Sequence, residues 1–231
     1  MEASSRLQPI WPTFAWRIAA LSGVLMPAVA MVVLFYGADA QAFVGAGALI
    51  LAIGLMATGM ITGSIDGSFP KGVLRAVATG GCLTLLAVIL GSAGTPNVLT
   101  FTIAILAASI SFAARGALFA RSGGNKGWWI AVFVVAGEAA IVLTALAEPG
   151  ALPAWLLALL PAQWASIALQ AALAGAGFGA AWAPLVALLG TAAATLFVVH
   201  QWPRKWTYAV MFTTWLALSA LVYHQSGTVL A

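Results

Sequence analysis

Eight stretches of this chain are long and apolar enough to cross a bilayer, and nothing else in it constrains the fold more. About 20 helical residues cross about 30 Å of hydrocarbon. Runs of that kind occupy Ile18–Tyr36, Ala42–Thr62, Val73–Leu90, Val98–Phe119, Trp128–Ala147, Pro153–Leu173, Ala180–Val199 and Trp206–Tyr223. Composition closes the soluble alternative. Hydrophobic residues make up 63% of the chain and charged residues 6%, where soluble domains carry about 25% charged residues. Inside lipid the backbone must satisfy itself, which leaves helices or a closed barrel. A barrel needs alternating segments of about ten residues, and no run alternates. The expected fold is all-α: a polytopic transmembrane helix bundle of eight helices, or seven if one run fails to cross, in a single domain over 1–231.

The breaks between runs carry turn chemistry, as in Gly37-Ala38-Asp39, Gly63–Ser68, Gly91–Asn97, Ser122–Asn125, Glu148-Pro149-Gly150, Gly175–Gly179 and Gln201–Lys205. Connections this short make successive helices antiparallel neighbours. Trp11, Trp16, Trp128, Trp129, Trp202 and Trp206 stand at run edges, where an amphipathic ring suits the headgroup layer, while Trp164 and Trp215 lie inside runs. Ala38-Asp39-Ala40 has the form of a signal-peptide cleavage site, but the run before it is longer than the usual 7–15 residues. It reads as a retained helix.

Orientation follows from the basic residues. With the N-terminus inside, Arg6, Arg17, Lys71, Arg75, Arg115, Arg121 and Lys126 fall on the cytoplasmic side, against Arg204 and Lys205 outside with the acids Asp39 and Glu148. If Pro153–Leu173 did not span, all nine basic residues would be cytoplasmic. That segment has Pro161 near its middle and Gln163, Ser166 and Gln170 on one helical face, so it could instead lie along the outer surface. An uncharged run of this length ordinarily inserts. Eight spans with both termini cytoplasmic, in the plasma (inner) membrane, is therefore the expectation. Arg17, Lys71, Arg75, Arg121 and Lys126 are read as headgroup and orientation residues. The net charge of +4 comes from basic residues that flank apolar runs singly or in pairs, which suits anionic headgroups and excludes nucleic acid as a partner.

Gly59, Gly63 and Gly67 form two consecutive G-x-x-x-G steps, and Gly175 and Gly179 another. Small residues at this spacing let helix backbones approach closely, so these five are the candidate packing glycines. The first set reads equally as a helix end giving way to a loop. A shift of 109 residues lays 16–124 over 125–231, bringing Arg17 onto Lys126, Asp39 onto Glu148 and Gly81 onto Gly190. Evenly spaced helices in an Ala-, Leu- and Gly-rich chain produce much of this match without a duplication.

The most unusual residue is Glu138, near the midpoint of its run. A carboxylate there is costly unless neutralised or partnered, and an intramembrane acid is a functional candidate by default. Counting back through the preceding hairpin places Ser109 and Ser111 at similar depth as its expected hydrogen-bond partners. One reading makes Glu138 a protonatable group in a proton or cation path; the other makes it interhelical glue. Arg115, about one turn inside its run, is expected to snorkel to the headgroups, too far along the hairpin for a tight pair with Glu138. Gln163 and Gln170 complete the intramembrane polar candidates. Asp66 with Lys71 and Arg75 marks a polar turn, read most simply as an orientation and capping feature, with a phosphate or lipid-headgroup site as the alternative.

His200 and His224 end successive antiparallel runs at opposite faces, and neither stands in a metal-binding spacing. Cys82 alone provides no disulfide or redox pair. No nucleophile elbow, phosphate-binding loop, dinucleotide fingerprint or paired carboxylate is present. No catalytic residue, metal or cofactor is expected, and an enzyme is the least favoured class. Two classes stand: a non-catalytic membrane subunit or sensor module, which the thin polar inventory fits better, and, as the alternative, a small carrier or permease coupling solute movement to a proton or cation through Glu138. The expected partners are the lipid bilayer and either other membrane subunits or further copies of the chain.

Overall fold

The computed structural model describes residues 11–37, 40–90 and 97–229. Arg6, Asp39 and most of the Gly91–Asn97 break lie outside the described residues, as do the side chains of Trp11 and Asp66. All regular structure among the described residues is helical, in eight successive helices. Helix α1 joins Trp11–Ala20 to Met26–Gly37 through a π-turn at Leu21–Leu25. Helix α2 is Ala40–Asp66, α3 Phe69–Ile89, α4 Val98–Gly123 and α5 Gly127–Ala147. Helix α6 comes in two pieces, α6a (Ala154–Ala158) and α6b (Pro161–Leu173). Helix α7 is Phe178–His200 and α8 Trp206–Val229. Six helical stretches are long and apolar enough to cross a membrane, and one of them, Val98–Ala147, is the α4–α5 pair. Seven helices are thus of spanning kind, and the chain is an integral membrane protein.

Local chemistry explains the irregularities. Pro27 has no N–H to give the Gly23 carbonyl, and its ring crowds that carbonyl. The helix widens there by one residue, with Met26 N–H reaching Leu21 O. Asn97 caps α4 by accepting the Thr100 N–H at 3.0 Å. Helix α6b ends in a Schellman motif: Ala176 N–H bonds Ala171 O, Gly175 N–H bonds Ala172 O, and Gly175 takes the left-handed φ of 72° that this cap requires.

Helices α2 and α4 form the centre. Helix α2 packs on α1, α3, α4, α5 and α6b, and α4 on α2, α3, α5, α6b and α7. Their contact is a seam of small residues. A Cβ on Gly63 would stand 2.9 Å from Ala113 O, one on Gly72 of α3 3.1 Å from Gly59 O, and one on Gly116 would collide with Met60 O. Three backbones therefore meet through Gly59, Gly63, Gly72 and Gly116, the close approach that drives helix association in lipid. Gly67 lies past this seam. It ends α2 with a φ of 62°. Gly175 and Gly179 do not make a second seam, because Gly175 is a helix cap and a Cβ on Gly179 would meet nothing within 4 Å.

The sixth run is where the path departs from a simple up-and-down bundle. Pro161 disfavours helix at Leu160, which is extended (φ −93°, ψ 118°), so the helix stops and restarts. The break lies at mid-height: Leu159 O accepts the indole N–H of Trp215, midway along α8, and Ala162 N–H donates to Glu138, midway along α5. Helix α6a enters from the end of α5. Helix α6b finishes beside the start of α4, where Asn97 N–H donates to Ala172 O at 2.9 Å. Those two ends share a face, because α4 and α5 form a hairpin through the short turn Gly124–Lys126. Helix α6 is therefore re-entrant. This corrects both the continuous span and the surface-lying helix expected for Pro153–Leu173. Trp164, Ala165, Ala168 and Leu169 of α6b are fully buried, as non-helical backbone at membrane depth must be enclosed by protein.

Among the described residues eight helices are present, as expected, and seven run the full height. Helix α7 then starts beside Asn97 and runs parallel to α4, so Arg204 and Lys205 join Arg17, Lys71, Arg75, Arg121 and Lys126 at one face. Glu148 lies at the other. The start of α1 and the end of α8 consequently lie at opposite faces, not on one side as an eight-span path requires.

Candidate functional site

A helix break inside a bundle leaves backbone groups without partners. At the α6 break each freed group finds one. Trp164 Nε1 donates to Ala158 O at 2.7 Å and Trp215 Nε1 to Leu159 O at 3.2 Å. Pro161 has no N–H to satisfy. The N–H groups of Gln163 and Trp164 turn back to Leu160 O at 3.0 and 3.2 Å. The remaining donor, Ala162 N–H, is taken by Glu138 Oε2 at 3.1 Å. The Glu138 carboxyl thus sits at the N-terminus of a thirteen-residue half-helix, where the helix dipole favours negative charge.

Arg115 belongs to the same neighbourhood. It does not reach out to the headgroups. Its guanidinium donates to Ser111 Oγ at 2.9 Å, one turn back on α4, and to Thr191 Oγ1 of α7 at 3.1 Å. Thr191 in turn donates to Ala187 O at 2.7 Å, which leaves its lone pairs turned to Arg115. Arg115 and Glu138 interact electrostatically while each keeps its hydrogen bonds to other groups. An arginine on α4 and a glutamate on α5 thus share one polar neighbourhood, with α6b and α7 supplying hydrogen-bond partners.

The expected partners of Glu138 are placed differently. Ser111 serves Arg115, and Ser109 is buried with its hydroxyl making no hydrogen bond. Gln163 is half-buried in the first turn of α6b beside Ala162, while Gln170 is exposed near its end, at the level of Gly45. Arg17, Lys71, Arg75, Arg121 and Lys126 are exposed. His200 and His224 lie toward opposite ends of the bundle, and among the described residues no group of His, Cys, Asp or Glu is assembled for a metal. An apolar cavity of about 320 Å³ lies between α1, α2 and α5, bordered by Pro27, Ile50, Ala136, Ala139 and Leu143. It reaches the depth of Glu138 on another face of α5.

Sequence reasoning missed Thr191, Ala162 and the two indoles. Trp164 and Trp215 stood out as tryptophans away from the run edges, and Pro161 as a proline in mid-run. The uneven basic tally, repaired only if this segment failed to cross, pointed to the same place.

The chain matches no family model, and neither a curated protein nor a solved structure matches it. Its function has to be read from this geometry.

Proposed function

We propose that the protein is a small carrier of the plasma (inner) membrane that couples solute movement to a proton or cation at Glu138. The observation that carries this reading is the contact between Glu138 and the half-helix N-terminus at the α6 break. Discontinuous helices at mid-membrane are a recurring device of transport sites, and their half-helix ends are where ions and anionic groups are held. An ionised Glu138 holds Ala162 N–H by a charge-assisted bond, and a proton weakens that bond. Proton binding is then linked to how firmly α6b is docked. Arg115 supplies the balancing charge and ties α4 to α7.

The alternative, a non-catalytic subunit docking through small-residue faces, fits less well. Gly59 and Gly63 are already covered by α3 and α4, so that face is not open to a partner. The proposed orientation puts the basic face in the cytoplasm, with the N-terminus inside and the C-terminus outside. A reporter fused after Ala231 is expected to be active only outside, and cytoplasmic activity overturns the orientation.

The coupling is tested by stepping the external pH over proteoliposomes adsorbed on a capacitive electrode. The wild type is expected to give a transient charge displacement, with no solute needed. Glu138→Gln should abolish it while leaving the fold intact, since the amide oxygen still accepts from Ala162. Equal signals from both proteins, or none from a folded wild type, defeat the reading.

A further inference from the structure

A second cavity, of about 270 Å³, opens on the side of the bundle between α1, α2 and α3, toward the basic face. Its chemistry is split. Arg75 stands at one end with its guanidinium carbon 3.6 Å from the centroid of the Trp16 ring. Among the described residues no carboxylate pairs with Arg75. Deeper, Thr79 donates to Thr58 at 3.1 Å, so those two hydroxyls engage each other. Thr62 also lines the cavity. It is 1% exposed, and its hydroxyl makes no hydrogen bond. A buried hydroxyl left this way is costly unless something meets it.

The remaining wall is apolar, and Val24 and Ala78 are exposed along it. The cavity therefore opens sideways, toward the hydrocarbon, and not only toward water. An occupant must present an anionic, hydrogen-bonding end to Arg75 and Thr62 and an apolar body to α1 and α3. The stack on Trp16 holds the guanidinium flat, which suits the bidentate geometry of a phosphate. Arg75 lies six residues into α3, about 9 Å along the helix axis from its start, within reach of the headgroup layer for a long side chain.

We infer that this cavity is a binding site for an anionic phospholipid, its phosphate on Arg75 and Thr62 and an acyl chain lying between α1 and α3. The basic face around it, with Arg17 and Lys71 nearby in sequence, fits a leaflet rich in anionic lipid. The site is on the opposite side of α2 and α4 from the α6 hairpin and does not depend on a transport role.

Native mass spectrometry of the delipidated full chain tests it, with phosphatidylglycerol, phosphatidylcholine and inorganic phosphate offered separately and in competition. A single phosphatidylglycerol is expected to be retained in preference to phosphatidylcholine, and inorganic phosphate should not displace it. Arg75→Gln should weaken retention about tenfold, the loss of one charge-assisted contact. Thr62→Val, which keeps the shape of the core, should weaken it by a smaller factor, and Arg121→Gln, on the same face but away from the cavity, not at all. Equal retention of phosphatidylcholine would reduce the site to general apolar contact. Displacement by inorganic phosphate would make it a site for a soluble anion. Unchanged retention in folded Thr62→Val and Arg75→Gln would remove it altogether.

Discussion

The α2–α3–α4 seam and the α6 hairpin solve opposite problems in the same bundle. Along the seam the helices are continuous, so backbone polar groups are satisfied within each helix and association rests on shape alone. Glycine removes the side chain, and Gly59, Gly63, Gly72 and Gly116 bring three backbones together. At the hairpin the helix is interrupted, and the freed groups need partners from elsewhere. Two indole N–H groups and one carboxylate provide them. Packing in lipid tolerates no added atom at the seam, whereas the hairpin tolerates no lost hydrogen bond.

That contrast is open to direct attack. The largest expected effect is at the seam. Gly116→Leu would drive a side chain into Met60 O and the Gly63 backbone, and backbone cannot swing aside as a side chain can. A cost of about 3 kcal/mol or more is expected, enough to abolish a cooperative thermal transition in detergent. A Gly116→Leu protein that melts like the wild type would mean that the seam is not close-packed.

At the hairpin, Trp164→Phe keeps an aromatic ring and removes only the donor to Ala158 O. That should cost about 1–3 kcal/mol, the penalty of an orphaned buried carbonyl. Trp215→Phe should cost less, since its bond to Leu159 is longer and its ring only partly buried. Both should also raise amide hydrogen exchange across 159–164 without changing it along α2. Uniform destabilisation with no local change in exchange would show that the indoles act only by filling space.

The smallest pair separates the two glycines that share a spacing and not a role. Gly175→Ala forces a Cβ into left-handed backbone and should cost about 1 kcal/mol. Gly179→Ala points into open space and should stay within about 0.5 kcal/mol of wild type in the same melting assay. Equal effects at both positions would contradict the assignment of Gly175 as a helix cap.

Much of the fold was legible because it depends on local properties. Run length and the scarcity of charge mark eight apolar runs, seven of which cross, and the Gly59-to-Gly63 step marks one side of the seam. Its other side, Gly72 and Gly116, carries no such pair: a single glycine signals contact only once another backbone lies against it. For the candidate site, Glu138 was visible because a charge in an apolar run is locally anomalous. Its partner was not. Ala162 is a residue without side-chain polarity, and its N–H becomes a donor only because Pro161 interrupts the helix and the fold aims that end at α5. Arg115 shows the same limit: position in the run suggested an outward reach, and Thr191, seventy-six residues away, turned it inward.

What the sequence determined by itself is the solvent, the secondary structure and the presence of ionisable groups where water is absent, because all three follow from the character of each residue and its near neighbours. What only the tertiary structure decided is the turning back of the sixth run. Hydropathy cannot distinguish twenty-one uncharged residues that cross a bilayer from the same residues folded into the interior of other helices. The choice rests on whether a proline break finds donors and acceptors at its own depth, and here they come from Glu138 on α5 and Trp215 on α8.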